Sequence, residues 1–157
     1  MIQLTDQPFD PSARLKAFTQ TTKGAGGIVS FTGIVRDVSS QGSVKKLYLE
    51  CYSPLTEKSI SNAVASANQR WALMGSSVVH RYGEMHPEDA IVFVATASKH
   101  RRDSFEAADF LMDYLKTEAI FWKKETTSNG ETWIEPRPDD YKDAARWNAA
   151  TKEDSWA

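Results

Sequence analysis

The chain has 157 residues, with 19 lysines and arginines against 21 acidic residues, a formal charge of -2 and a pI near 5.9. That length suits one domain with a real hydrophobic core, and the slightly acidic balance argues against a general nucleic-acid binder, so any basic cluster is local. No apolar run approaches the roughly 20 residues that span a bilayer, and Met1 to Asp10 lacks the charged-then-apolar pattern of a signal peptide, so the cytoplasm is the expected setting and no membrane partner is expected.

In chain order, Ile2 to Thr5 suits a short strand, and Asp10-Pro11 suits an N-cap and first helical position for a helix to about Gln20. Lys23 to Gly27 breaks the chain. Ile28 to Arg36 is β-branched and aromatic, Asp37 to Ser43 reads as a polar loop, and Val44 to Tyr52 alternates, which predicts two strands in a long-tipped hairpin. Pro54 to Leu73 places Ile60, Val64, Ala67 and Trp71 at helical spacing. Ser77 to Tyr82 and Ala90 to Ser98 read as apolar strands joined by a turn over Gly83 to Asp89. A second helix is predicted from about Arg102 to Glu118, with Phe105, Ala108, Met112 and Leu115 along its buried stripe. Asn129-Gly130 between Ile120–Thr127 and Thr132–Glu135 signals a β-hairpin. Residues 1–136 are the expected domain. Residues 137–157 form a polar tail, either a short helix or a mobile end, with Trp147 and Trp156 as its main apolar features. The economical fold class is mixed α/β or α+β, with a sheet and two principal helices.

Gly24, Gly26 and Gly27 precede a β-branched strand and not a helix, so they read as a turn and not as a phosphate loop. His80, His86 and His100 have no ligand spacing, so neither metal nor cofactor is expected. Cys51 is the only cysteine and alternates with Leu47 and Leu49, which reads as a buried core thiol. Three stretches carry charge suited to chemistry. Ser98-Lys99-His100-Arg101-Arg102 lies where a strand gives way to a helix, a place where cations and free N–H groups converge on an anion; the alternative is a solvated face. Lys116 borders the apolar stripe of its helix, and crowding by Lys123 and Arg101 would disfavour its protonated form, giving a nucleophile or base; the alternative is an ordinary surface lysine. Strand period puts Phe121, Lys123 and Glu125 on one face and Trp122 with Lys124 on the other.

Taken in order, Phe31-Thr32-Gly33-Ile34-Val35-Arg36-Asp37, His80-Arg81-Tyr82-Gly83, Ser98-Lys99-His100-Arg101, Asp113-Tyr114-Leu115-Lys116-Thr117 and Phe121-Trp122-Lys123-Lys124-Glu125 resemble the catalytic large subunit of molybdopterin synthase, from about Gly26 to Glu135. The resemblance implies an α/β hammerhead-type fold with an added antiparallel β subdomain, and a homodimeric core inside a heterotetramer. It implies a small ubiquitin-like sulfur-carrier subunit ending in a Gly-Gly thiocarboxylate, which delivers two dithiolene sulfurs to cyclic pyranopterin monophosphate. By the same resemblance Lys116 and Lys123 are the catalytic lysines, with Lys116 leading and Lys123 its electrostatic partner. Val35, Arg36, His100, Arg101, Lys116, Lys123, Lys124 and Glu125 line the substrate site. Two positions depart from the family pattern: Ala119-Ile120 stands where a proline is expected, and Ile34 where related chains can place a lysine. Two other classes stay open at this point: a module that binds a ubiquitin-like tail or phosphorylated ligand without turnover, and an RNA binder using Phe121, Trp122 and nearby lysines.

Overall fold

The computed structural model describes residues 1–148. Trp156 lies outside them. The elements are β1 (Ile2–Thr5), α1 (Pro11–Thr21), β2 (Gly27–Ile34), β3 (Val38–Ser39), β4 (Gly42–Cys51), α2 (Leu55–Arg70), β5 (Leu73–Arg81), β6 (Gly83–Met85), β7 (Ala90–Ser98), α3 (Arg101–Thr117), β8 (Phe121–Thr127), β9 (Gly130–Ile134) and α4 (Pro138–Ala145). Among the described residues, no helix is long and apolar enough to cross a membrane.

Two sheets organise the chain. The first has the order β1-β5-β7-β2, with β1 parallel to β5 and the other pairs antiparallel. Its central strand β7 is buried from Val92 to Ser98, and strand alternation divides its side chains between two cores. Val92 and Val94 face Ile60, Ala63 and Ala67 of α2 and Ala107, Leu111 and Leu115 of α3. Phe93, Ala95 and Ala97 face Phe18 of α1. α1 starts where Asp10 caps it, its carboxylate accepting from the Ser12 N–H at 2.8 Å.

The second sheet, β3-β4-β8-β9 with β6 also on β4, is antiparallel and packs Val44, Leu47 and Leu49 against Val35 and Met85. This is the mixed α/β architecture with an added antiparallel sheet. The hairpin expected between β2 and β4 does not form. β2 instead pairs with β7 from Gly27↔Ser98 to Ile34↔Ala90, because β7 is apolar on both faces and needs a strand on each edge. The chain then crosses at Val35–Asp37 into the second sheet, and the loop expected at Asp37 to Ser43 folds back through β3.

Three other expectations shift. β5 begins at Leu73 and not at Ser77, since Trp71 leaves α2 with extended backbone and Leu73 pairs at once with Ser98. The turn expected at Gly83 to Asp89 opens with β6, which pairs on β4. The buried stripe of α3 runs through Ser104, Ala107, Ala108, Leu111 and Leu115, leaving Phe105 60% exposed. Ser104 turns the helix this way: its hydroxyl donates to Gly27 O at 3.1 Å and lies 2.6 Å from Ser98 Oγ, while its carbonyl accepts from Thr96 Oγ1 at 2.7 Å.

Candidate active site

β8 and β9 form the hairpin signalled by Asn129-Gly130, with Gly130 at φ +117°. The period of two turns Phe121, Lys123, Glu125 and Thr127 inward and leaves Trp122 exposed, as the sequence pattern requires. Glu125 is buried and accepts a short hydrogen bond from Ser39 Oγ on β3. Lys123, two residues away on the same face, has its ammonium pushed below the usual lysine range. Burial is the largest cause and the positive charge of Lys116 the next; Glu125 works the other way, Arg36 adds to the depression and Asp140 opposes it. Lys123, Lys116, Arg36, Glu125 and Asp140 therefore form one electrostatic cluster. Lys116 is exposed in the last turn of α3, so the partly desolvated amine expected there is found instead at Lys123.

His80 is tied to this cluster through Phe121 and the charge of Lys116. Its ring stacks on Phe121, the first residue of β8, with centroids 4.1 Å apart and planes 21° apart. Nδ1 lies 2.9 Å from Arg81 O. A carbonyl only accepts, so Nδ1 carries the hydrogen and Nε2 is the bare nitrogen. Burial lowers the pKa of His80 to about 4 against the opposing bond to Arg81 O, with Lys116 lowering it further, so the ring is neutral at pH 7.

Asp140 was hidden in what the sequence presents as a polar tail. Arg146, just after α4, pairs with Asp109 at 2.7 Å and Asp113 at 2.8 Å. Trp147 donates from Nε1 to Asp113 at 2.6 Å and sets its ring edge against Trp71 and Phe110. With its C-terminal end fixed at the middle of α3, α4 runs back along that helix. Six residues at about 1.5 Å each bring Asp140 from Arg146 to the level of Lys116. Asp140 is buried, accepting from Arg137 N at 2.9 Å and Arg137 Nη2 at 3.1 Å. Burial works to raise its pKa, but the Arg137 hydrogen bonds and the charge of Lys116 outweigh it and hold the carboxyl below its usual range. The available signal was Arg137-Pro138-Asp139-Asp140, a proline at N1 followed by first-turn acids.

Not every expected residue joins this cluster. Lys124 lies on the opposite face of β8, 3.5 Å from Glu131 and over the Trp133 ring. His100 and Arg101 stand at the other end of α3, where they line an open hollow of about 630 Å³ with Gly26, Lys99, Arg102, Phe105 and Glu106. The approach there is close: a Cβ on Gly26 would lie 2.1 Å from Lys99 O. A 17-residue helix separates Arg101 from Thr117, about 24 Å of axis, so the expected crowding of Lys116 by Arg101 does not occur within one chain. Arg36, in contrast, reaches the lysine end, because β2 starts beside Ser104 at Gly27 and runs along α3 before releasing Val35 and Arg36.

Cys51 ends β4 opposite Phe121 and is half-buried, not enclosed like Leu47 and Leu49. Burial pushes its thiol pKa up against a hydrogen bond with Thr56, and Glu57 raises it further, which makes it a poor nucleophile at neutral pH.

Comparison with known proteins gives a consistent result. Residues 4–118 match the family described as MoaE protein. A molybdopterin synthase catalytic subunit of Caulobacter vibrioides is 45% identical over 148 residues, covering 94% of this chain and 97% of that protein. The Yersinia pestis protein of the same name is 50% identical over 122 residues, covering 78% and 81%. The solved structure of the molybdopterin biosynthesis MoaE protein from Burkholderia ambifaria superposes with a TM-score of 0.79 at 41% identity, over 95% of this chain and 98% of that one.

Proposed function

Because the chain belongs to the MoaE family and is a catalytic subunit of molybdopterin synthase, we propose that the Lys116–Lys123 cluster is where sulfur is transferred to a pterin phosphate. The sulfur donor in this reading is the thiocarboxylated Gly-Gly terminus of a small ubiquitin-like carrier subunit, the acceptor is cyclic pyranopterin monophosphate, and the setting is the cytoplasm. The observation that carries the reading is Lys123: a lysine on an inward strand face, lowered in pKa, with a second lysine and an arginine beside it and two carboxylates opposing them.

The chemistry asks for such a group. Both reactants are anionic, so cations must gather them, while an amine that stays protonated cannot take up a proton or attack an acyl carbon. Lys123, its proton affinity lowered by burial and by the charge of Lys116, is the group for acid/base work. Lys116, exposed at the helix end, is the group that meets the carrier's terminus, as nucleophile or as charge. Arg36 supplies the planar donor fork that matches phosphate oxygens, and Val35 sets where it stands. Glu125 holds Lys123 in register from the same face. With the only thiol half-buried and raised in pKa, a carrier-borne sulfur needs no cysteine of this chain.

His100 and Arg101 belong to the substrate site in this reading, yet the helix puts them about 24 Å of axis from Lys116. We therefore propose a site completed by two copies: in a homodimer with two-fold symmetry, the His100–Arg101 end of one copy meets the lysine end of the other, twice. Lys124, facing away from Lys123, contributes charge at the rim. The test is to combine the chain with a thiocarboxylated carrier and cyclic pyranopterin monophosphate and to follow the product by mass spectrometry. The expected result is a dithiolene carrying two added sulfurs. Its absence with a competent cognate carrier overturns the reading.

A further inference from the structure

We infer that Arg81 and Asp89 are positioning residues that aim Arg36 into the lysine cluster. The inference rests on the proposed role of Arg36 and begins from an expense that packing does not explain. Arg81 ends β5 with its side chain 8% exposed, and its Nε has no hydrogen-bond partner among the described residues. A buried guanidinium with an unsatisfied donor is costly, and an apolar residue of similar volume would serve a core better. The two other nitrogens each reach one turn: Nη1 donates to Asp89 Oδ2 at 3.1 Å and Nη2 to Glu84 O at 3.3 Å. The same Asp89 oxygen accepts from the His86 N–H at 2.9 Å, and the Asp89 N–H donates to His86 O at 3.0 Å. Arg81 thus ties both ends of the segment from Glu84 to Asp89.

What that segment holds is Val35. The regular ladder of β2 on β7 shifts register between Gly33 and Ile34 and ends at Ile34↔Ala90. Beyond it the Val35 N–H donates to Asp89 O at 2.9 Å, and the Glu88 N–H donates to Val35 O, also at 2.9 Å. Glu88 adopts φ +73°, a conformation that a residue with a Cβ takes at a cost and keeps only when its surroundings fix it. On the far side, Asp37 O accepts from the Val44 N–H at 2.8 Å. Arg36 therefore leaves a backbone clamped on one side by the Arg81–Asp89 turn and on the other by the second sheet. A charge pair with a buried arginine and a strained residue converge on the two hydrogen bonds that set its direction.

The test is a double-mutant cycle read in steady-state kinetics with saturating thiocarboxylated carrier and varied cyclic pyranopterin monophosphate. Asp89→Ala is expected to raise KM about tenfold with kcat within about twofold of the parent, an effect of displaced geometry. In an Arg36→Ala background the same substitution is expected to change KM by less than about twofold. Asp89→Asn keeps an acceptor for the His86 N–H and loses the charge facing Arg81, so it should show the same pattern at smaller amplitude in a chain that folds readily. Equal factors in the two backgrounds, or an unchanged KM in both Asp89 variants, overturn the positioning role while leaving Arg36 in the site. An Arg36→Ala enzyme with parental KM overturns the reading of Arg36 itself, and the inference with it.

Discussion

Lys123→Ala is expected to lower the rate of dithiolene formation by about 100-fold or more at neutral pH, the scale on which a positioned acid/base group acts, with little change in thermal stability. Lys116→Ala should come close to it, because its charge is the second largest cause of the lowered Lys123 pKa and, in the proposed reading, its amine meets the carrier's tail. The pH dependence separates the two roles. If neutral Lys123 is the working form, the rate rises with pH through its pKa, which lies below the ordinary 10.5. Removing the positive Lys116 stabilises the Lys123 ammonium, raises that pKa and moves the rising limb to higher pH. Glu125→Gln removes a negative neighbour, lowers the pKa and moves the limb to lower pH. Rate profiles of the two variants that move in the same direction would remove Lys123 from this role.

His80 gives the largest expected effect on stability. Its pKa is 6.5 in an open chain and about 4 in the fold, because the ring is buried against Phe121. Between those values the unfolded chain binds a proton that the folded one refuses, so stability rises with pH across this window and is lost as pH falls from 6.5 toward 4. At ~1.4 kcal/mol per pH unit of separation, the total is about 3 kcal/mol, complete below pH 4. Chemical denaturation at pH 7 and at pH 4 should show a loss of that order in the parent beyond the loss in His80→Phe, which keeps an aromatic ring against Phe121 and cannot take the proton. A parent and a variant with the same acid sensitivity would contradict the neutral buried imidazole.

The sequence made the inward face of β8 legible, because a period of two is a strong constraint and Phe121, Lys123 and Glu125 obey it. It also marked α1 through Asp10-Pro11 and the β8–β9 turn through Asn129-Gly130, since these are local effects of capping and backbone freedom. What it could not show was decided by distant partners. β2 reads as half of a hairpin because β4 follows it, yet β7 claims it from some sixty residues downstream, having two apolar faces to cover. Lys116 reads as desolvated beside Leu115, but exposure depends on how α3 rolls, and Ser104 sets that roll through bonds to β2 and β7. The division of the cations into two groups escaped for a similar reason. His100, Arg101 and Lys116 are neighbours in sequence only until α3 is drawn out between them. Asp140 escaped because its importance comes from the antiparallel docking of α4, which rests on Arg146 and Trp147.

The most direct measurement mixes two inactive chains. Lys123→Ala and Arg101→Ala proteins, each with little activity alone, are allowed to exchange subunits and are then assayed with carrier and pterin substrate. If each site takes its lysines from one copy and its arginine from the other, half of the randomly paired dimers contain one intact site, and activity should return to about a quarter of the parental value. A mixture no more active than the separate variants, with subunit exchange verified, would contradict a catalytic centre shared between two copies.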